Sequence, residues 1–289
     1  MSPVAIVGHG GLGELVAARE RAAGRGVLGL ARRPRELAGG EFIACDLDGI
    51  TAWPAPLARC REIYYFVPPP DTGPTDPRLE RFLAACPPTG RYRLLLVSTT
   101  AVYGDAGGAW LDERAPARPG SDRGRRRLAA EQALWQWRRQ APGREAVVLR
   151  VAGIYGPRRL PLERLRQGMA VLEASLAGFS NRIHEDDLAT ACVAAMRRGG
   201  DGEVYNVSDG QPSSMTDYFC RVAAHFGLPR PRLLGWDEAQ RCLSPGMLSY
   251  LRESRRIDNR KLREQLGVQL RYPALDEGLA ACVAALENG

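Results

Sequence analysis

A chain of 289 residues is long enough for one large domain, or for a core domain with a smaller partner. Its 45% hydrophobic and 25% charged content is that of a soluble globular protein, and no apolar run approaches the roughly 18–20 residues that span a bilayer. The formal net charge of +7 comes from arginines that cluster at 123–127, 158–159, 197–198 and 255–256, but acids are interleaved elsewhere and there is no basic tail or aromatic–basic alternation, which argues against a nucleic-acid partner.

The first strand is predicted at Val4–Val7, followed by a helix from about Gly11 to Ala23. No basic leader and apolar h-region precede it, so a cytoplasmic protein is expected. Val27–Ala31 and Phe42–Asp46 read as the next two strands, and Ile63–Val67 as a fourth that Pro68, Pro69 and Pro70 must stop. A Pro/Gly-rich loop over Asp71–Pro77 leads into a helix at about 77–86. Leu94–Ser98 is an apolar strand of the kind covered on both faces. A long helical segment starts at Ser121 and carries Leu128, Ala133, Trp135 and Trp137. Val147–Val151 is a sixth strand and Val204–Val207 a seventh, and the final third is mainly helical, ending in Leu275–Leu286. Strands alternating with helices imply βαβ units and a parallel sheet. The fold class is therefore α/β, a Rossmann-type doubly wound parallel sheet with a smaller, mainly helical C-terminal lobe. Residues 1–155, with 179–210 returning to them, are assigned to the nucleotide-binding domain, and 156–178 with 211–289 to the substrate lobe.

Seven cysteines (45, 60, 86, 192, 220, 242 and 282) are dispersed, contain no CxxC pair and are accompanied by only three histidines, so neither a disulfide framework nor a structural metal is expected. The strongest motif lies between the first strand and its helix, where Gly8-x-Gly10-x-x-Gly13 makes a tight turn onto a helix N-terminus. Backbone N–H groups and the positive end of the helix dipole would there receive a pyrophosphate, with Gly8 turning the chain, Gly10 admitting the phosphates and Gly13 permitting close packing. Gly11 and Leu12 complete that cradle. His9, inside the turn, is better placed to touch phosphate than to do chemistry.

Four further motifs stand in register with the glycine turn: Ser98-Thr99-Thr100-Ala101-Val102-Tyr103-Gly104-Asp105, Leu149-Arg150-Val151-Ala152-Gly153-Ile154-Tyr155-Gly156-Pro157, Arg182-Ile183-His184-Glu185-Asp186-Asp187-Leu188-Ala189 and Val204-Tyr205-Asn206-Val207. Together the five resemble the extended short-chain dehydrogenase/reductase superfamily of the NAD-dependent epimerase/dehydratase type, over essentially the whole chain. The glycines follow the GxGxxG spacing of divergent, atypical members rather than GxxGxxG. The resemblance also implies a Tyr-x-x-x-Lys pair that moves a proton as hydride moves. Aligned on Gly124 and Glu131, those positions hold Arg123 and Arg127. The single lysine of the chain, Lys261, has Ile257 four residues before it and rescues nothing. Arginine stays protonated and cannot replace the tyrosine, although Arg127 can still bind ribose hydroxyls and add positive potential.

The resemblance places Thr99 where a Ser/Thr hydroxyl contacts the substrate oxygen. It leaves Tyr103 either as a spare phenol or as a turn residue. Thr99, Tyr103 and Arg127 are thus the catalytic candidates. Ala31-Arg32-Arg33 ends the second strand with no acid and suits the 2′-phosphate of NADP, with NAD the alternative; the same pair also reads as a solvated strand exit, and Glu36 comes too late to hold a ribose. Asp46 and Leu47 fall at the adenine edge, Val67 and Pro68 at the far ribose, and Ser98 beside Arg127 at the nicotinamide end. His184 reads as a structural histidine between the lobes. The leading expectation is an NADP-binding oxidoreductase acting on a small molecule, as monomer or homodimer. The alternative is an inactive nucleotide-binding sensor, and a nucleotide-sugar epimerase or dehydratase needs the same absent tyrosine.

Overall fold

The computed structural model describes residues 2–33 and 39–287. Seven strands form one parallel sheet: β1 (Val4–Val7), β2 (Val27–Ala31), β3 (Glu41–Ala44), β4 (Glu62–Tyr65), β5 (Tyr92–Thr99), β6 (Arg144–Val151) and β7 (Val204–Val207). Their order is β7-β6-β5-β4-β1-β2-β3. The chain winds outward from β1 in one direction through β2 and β3, then returns to place β4 on the other side. Its order therefore reverses between β1 and β4, the crevice where open α/β sheets take ligands. Register is continuous across that crevice, with Val7 opposite both Leu30 and Tyr65.

Alternation of side chains along each strand divides the core into two layers. Val4 and Ile6 pack with α1 (Gly11–Ala22) and α4 (Glu185–Arg198) on one face. Ala5 and Val7 pack with α2 (Pro77–Ala85) and α3 (Asp122–Arg139) on the other. Both faces are covered, which explains the unbroken apolar runs of β5 and β6. Asp76 caps α2 by accepting the Leu79 N–H at 3.1 Å, and Pro77 sits at the first helical position where its missing donor costs nothing. Trp137 on α3 is core at 2% exposure, while Trp135 is partly buried against the same layer.

Several strand ends move from their expected places. β3 ends at Ala44, two residues before Asp46, and β4 ends at Tyr65, two before Val67. β5 and β6 extend to Tyr92–Thr99 and Arg144–Val151. The outer residues of β5 and β6, including Arg93 and Arg144, are polar and carry no apolar signal. Arg93 is nonetheless ladder-paired because its guanidinium is bonded by the Met196 carbonyl at 2.9 Å. Beyond the sheet, the C-terminal segments form two-residue and three-residue strand pairs that no periodicity announces. One pairs Arg182–His184 with Gly153–Tyr155, and another pairs Arg256–Ile257 with Trp110–Leu111. A third core of Tyr155, Leu165, Tyr218, Phe219, Val222, Leu279 and Cys282 lies there. No helix among the described residues is long and apolar enough to cross a membrane.

Candidate functional site

Two clefts open at the carboxyl ends of the strands. The first, of about 690 Å³, is bounded by Gly8, His9 and Gly10, by Arg32 and Arg33 after β2, by Asp46 and Leu47 after β3, by Val67 and Pro68 after β4, and by Arg78 of α2. Gly8 has φ +88°, and a Cβ there would stand 2.8 Å from both the Val67 N and its Cγ2. No other residue suits that turn. A Cβ on Gly13 would meet Ile6 Cγ2 at 3.1 Å, so that glycine sets how closely α1 lies on the sheet, whereas one on Gly10 would meet only the Gly8 carbonyl at 4.0 Å. The first N–H groups of α1, those of Gly11, Leu12 and Gly13, have no intrahelical acceptor, as at any helix start. The Leu12 side chain itself is buried in the core.

His9 is 4% exposed and packed edge-on to Phe42, with Nε2 3.6 Å from Glu14. It floors the cleft and fills the space left by Gly29, where a Cβ would meet its Cδ2 at 3.0 Å. Arg78 was absent from the sequence reasoning. It chelates Asp48 through Nε and Nη2 at 2.8 and 2.9 Å, and so brings a third guanidinium to the Arg32–Arg33 side. Glu36 lies outside the described residues.

The second cleft, of about 480 Å³, runs from Thr99 and Ala101 at the end of β5 to Tyr218, Tyr250 and Arg255. Thr99 caps the short turn Thr100–Tyr103, its Oγ1 accepting the Ala101 N–H at 3.2 Å. The hydroxyl hydrogen keeps no acceptor among the described residues. A Cβ on Gly11 would come to 4.0 Å of Arg159, which lines this cleft, so the start of α1 lies near it.

Six candidate residues line neither cleft: Gly11, Leu12 and Gly13 at the start of α1, and Ser98, Tyr103 and Arg127. Tyr103 is 3% exposed, its hydroxyl donates to Asn206 Oδ1 at 2.7 Å, and burial raises its phenol above the ordinary value. That bond ties the turn after β5 to β7. Asn206 in turn donates through Nδ2 to the carbonyls of Leu111 and Asp258 at 3.4 and 3.3 Å, and its N–H is accepted by Glu113 at 2.7 Å. Ser98 is also withdrawn, donating to the buried Glu131. Arg127 sits behind the first cleft with Nη1 3.5 Å from the Val67 carbonyl; burial lowers its guanidinium, opposed by Asp76. Arg123, one turn earlier on α3, does reach the second cleft.

Glu131 served in the sequence only to align α3, yet it anchors the region. Its carboxylate is 1% exposed and takes Arg150 Nη2 at 2.8 Å and Nε at 3.2 Å. The signal available was an acid beside Ala130 and Leu134 on a buried helix face. His184, expected as a structural histidine between the lobes, is buried. It is 3% exposed, its Nδ1 accepts the Asp186 N–H at 3.2 Å, Tyr272 stacks on it at 4.2 Å, and burial lowers its imidazole.

Asp209, 6% exposed in the turn after β7, is the most displaced carboxyl, raised to about 7 by burial. Its folded value lies above its unfolded one, so the folded state holds a proton that the unfolded state releases. Stability therefore falls as pH rises from about 4 to about 7. Asp209→Asn keeps the acceptor for Gln211 N–H and abolishes that slope. Thermal unfolding should show a gain at pH 8 exceeding that at pH 5 by on the order of 2 kcal/mol; equal gains at the two pH values would refute the displaced carboxyl.

A family model described as the NAD dependent epimerase/dehydratase family matches residues 4–208, from β1 through the end of β7. The chain belongs to that family. Among solved structures, a protein of unknown function from Silicibacter pomeroyi is 31% identical, with 99% of each chain covered and a TM-score of 0.81. MoeE5, solved with UDP-glucuronic acid and NAD, is 23% identical over 99% of each chain at a TM-score of 0.78, a likeness of fold. Protein YeeZ of Escherichia coli is 26% identical over 181 residues, which is 63% of this chain and 59% of YeeZ. The match thus spans about six tenths of the length of that curated relative.

Proposed function

We propose that the chain is an NADP-binding oxidoreductase of this family, with the cofactor in the first cleft and a small-molecule substrate in the second. The observation that carries the reading is the cleft beside the glycine turn, lined by Arg32, Arg33 and Arg78, with no acid at the described end of β2. Guanidinium forks match a 2′-phosphate, whereas an NAD ribose is ordinarily held by a carboxylate there. Gly8, Gly10, Gly11, Leu12 and Gly13 would supply the pyrophosphate cradle, Asp46 and Leu47 the adenine edge, and Val67 and Pro68 the far ribose. Thr99, with its hydroxyl hydrogen uncommitted, would meet the substrate oxygen. The lobe of residues 156–178 and 211–289 would enclose the substrate. MoeE5 and a UDP-glucuronic acid 4-epimerase from Bacillus cereus were solved with NAD, so the phosphate preference is the point to test.

Calorimetric titration with NADPH and NADH tests it. Wild-type protein should favour NADPH, and Arg32→Ala with Arg33→Ala should weaken NADPH by about 10- to 100-fold, the loss expected for one or two charge-assisted hydrogen bonds, while leaving NADH unchanged. Tighter NADH binding by the wild type overturns the NADP assignment. Failure of both nucleotides to bind removes the cofactor reading.

A second reading, a nucleotide-binding protein without redox chemistry, draws on Tyr103. The spare phenol is buried and bonded to Asn206, and no tyrosine replaces it at Arg123. Oxidation of bound NADPH by any small carbonyl compound would decide for the enzyme.

A further inference from the structure

Five guanidinium groups line the second cleft, those of Arg123, Arg159, Arg164, Arg182 and Arg255, against one carboxylate, Glu253. Two of the five are neutralised locally. Arg159 meets Glu185 at 3.0 Å, and Arg255 meets Glu253 at 2.7 Å. Arg123, Arg164 and Arg182 have no carboxylate within 4.0 Å among the described residues.

Arg182 is the most telling of these. It is 6% exposed, yet its contacts are a carbonyl, a thioether and a ring. Nη1 donates to the Asn181 carbonyl and Nη2 lies against Met215 Sδ, both at 2.9 Å, while the guanidinium covers the Tyr218 ring at 4.5 Å. The neighbouring acids are committed elsewhere. Asp209 accepts the Gln211 N–H at 2.9 Å, and Asp217 holds Arg221 at 3.0 Å. A buried charge without a counter-ion is destabilising, and such groups are ordinarily paired or coordinate a ligand. Arg123 repeats the pattern from the opposite wall. Its guanidinium lies over the Tyr250 ring at 3.2 Å, and its buried Nη2 has no hydrogen-bond partner among the described residues.

We propose that the second cleft is built for a doubly anionic substrate, a phosphate monoester or a dicarboxylate, whose oxyanion groups are held by Arg182 and Arg123 beside the Thr99 hydroxyl. Both are arginines, and the planar fork offers paired donors to either oxyanion. On this assignment Arg123 does not stand in for the family's proton-carrying tyrosine. It binds charge at that position, and the substrate's own anionic group occupies space a phenol would otherwise use. A volume of about 480 Å³ suits a metabolite-sized molecule. Calling the ligand a substrate rests on the oxidoreductase reading, whereas the anion site stands on the arginines alone.

The experiment is calorimetric titration of the full chain with malonate and with inorganic phosphate, with and without saturating NADPH, together with thermal unfolding. At least one probe should bind saturably at one site. With NADPH saturating the first cleft, Arg182→Met and Arg123→Gln should each weaken it at least 10-fold. Preference for malonate or for phosphate distinguishes the dicarboxylate from the phosphate monoester. In the absence of anion Arg182→Met should raise the melting temperature, because an uncompensated buried charge is removed; with anion the order should reverse. A merely structural Arg182 would instead lose stability under both conditions, which overturns the proposal. So would binding of neither probe at 10 mM and below, or binding that NADPH abolishes and Arg182→Met and Arg123→Gln leave intact. Failure of NADPH to bind while the malonate or phosphate isotherm keeps its arginine dependence removes the cofactor reading and supports this one.

Discussion

Replacing Glu131 by alanine should lower folding stability by about 3–5 kcal/mol, the cost of stripping a buried ion of its partner. Arg150 is 7% exposed, donates three hydrogen bonds to that carboxylate, and lies over the Tyr103 ring at 4.8 Å, so the guanidinium is left buried without its partner when Glu131 is gone. Ser98 loses its acceptor at the same time. Urea unfolding reads the effect as a lower midpoint at unchanged slope. A loss below about 1 kcal/mol would mean that the pair is hydrated, contrary to its burial. Pairing Glu131→Leu with Arg150→Met should recover much of the loss, since a well-packed apolar replacement of a whole buried pair is often neutral or stabilising. The lesion in the single variant is thus the orphaned charge rather than a missing attraction.

The second large effect is at Gly8. Gly8→Ala forces a side chain into φ +88° and against the Val67 N at 2.8 Å. The backbone conformation alone costs about 1–3 kcal/mol, and relief requires β1 and β4 to part at the crevice where the nucleotide would lie. Nucleotide affinity should therefore fall at least 100-fold, along with a lower melting temperature. Gly10→Ala is the contrasting case. Its φ is −109° and no atom other than the Gly8 carbonyl comes within 4.0 Å, so the fold should survive unchanged. Only the approach of a pyrophosphate would be obstructed. Equal NADPH affinity in wild type and Gly10→Ala, by calorimetry, would show that the turn does not receive phosphate.

The sheet was legible because its strands are covered on both faces and therefore read as short apolar runs between helices. Val4–Val7, Val27–Ala31 and Val204–Val207 fall where those runs predict. Strand ends were less so, since outer residues such as Arg93 are polar and held by carbonyls from α4 that sequence spacing does not reveal. The glycine turn announced the first cleft through local chemistry, and most of the residues expected beside it do line it. The second cleft is assembled from segments far apart in the chain, Thr99 and Arg123 meeting Tyr250 and Arg255. No local pattern could bring those together. For the same reason Tyr103 looked available in sequence, because its neighbour Asn206 lies 103 residues downstream. Arg182 looked ordinary just before the Ile183-His184-Glu185-Asp186-Asp187 segment, and its burial without a carboxylate within 4.0 Å emerges only from packing.

Asn206 has a kinetic consequence. One side-chain amide on the last sheet strand is bonded to the turn after β5 through Tyr103, to the Trp110–Leu111 strand and to the segment following Arg256–Ile257. The wall bearing Arg255 and Glu253 is therefore riveted to the sheet and is not hinged upon it. A ligand would arrive at a cleft already formed, so its capture would be a single event whose rate rises in proportion to concentration, without a slower closing phase behind it.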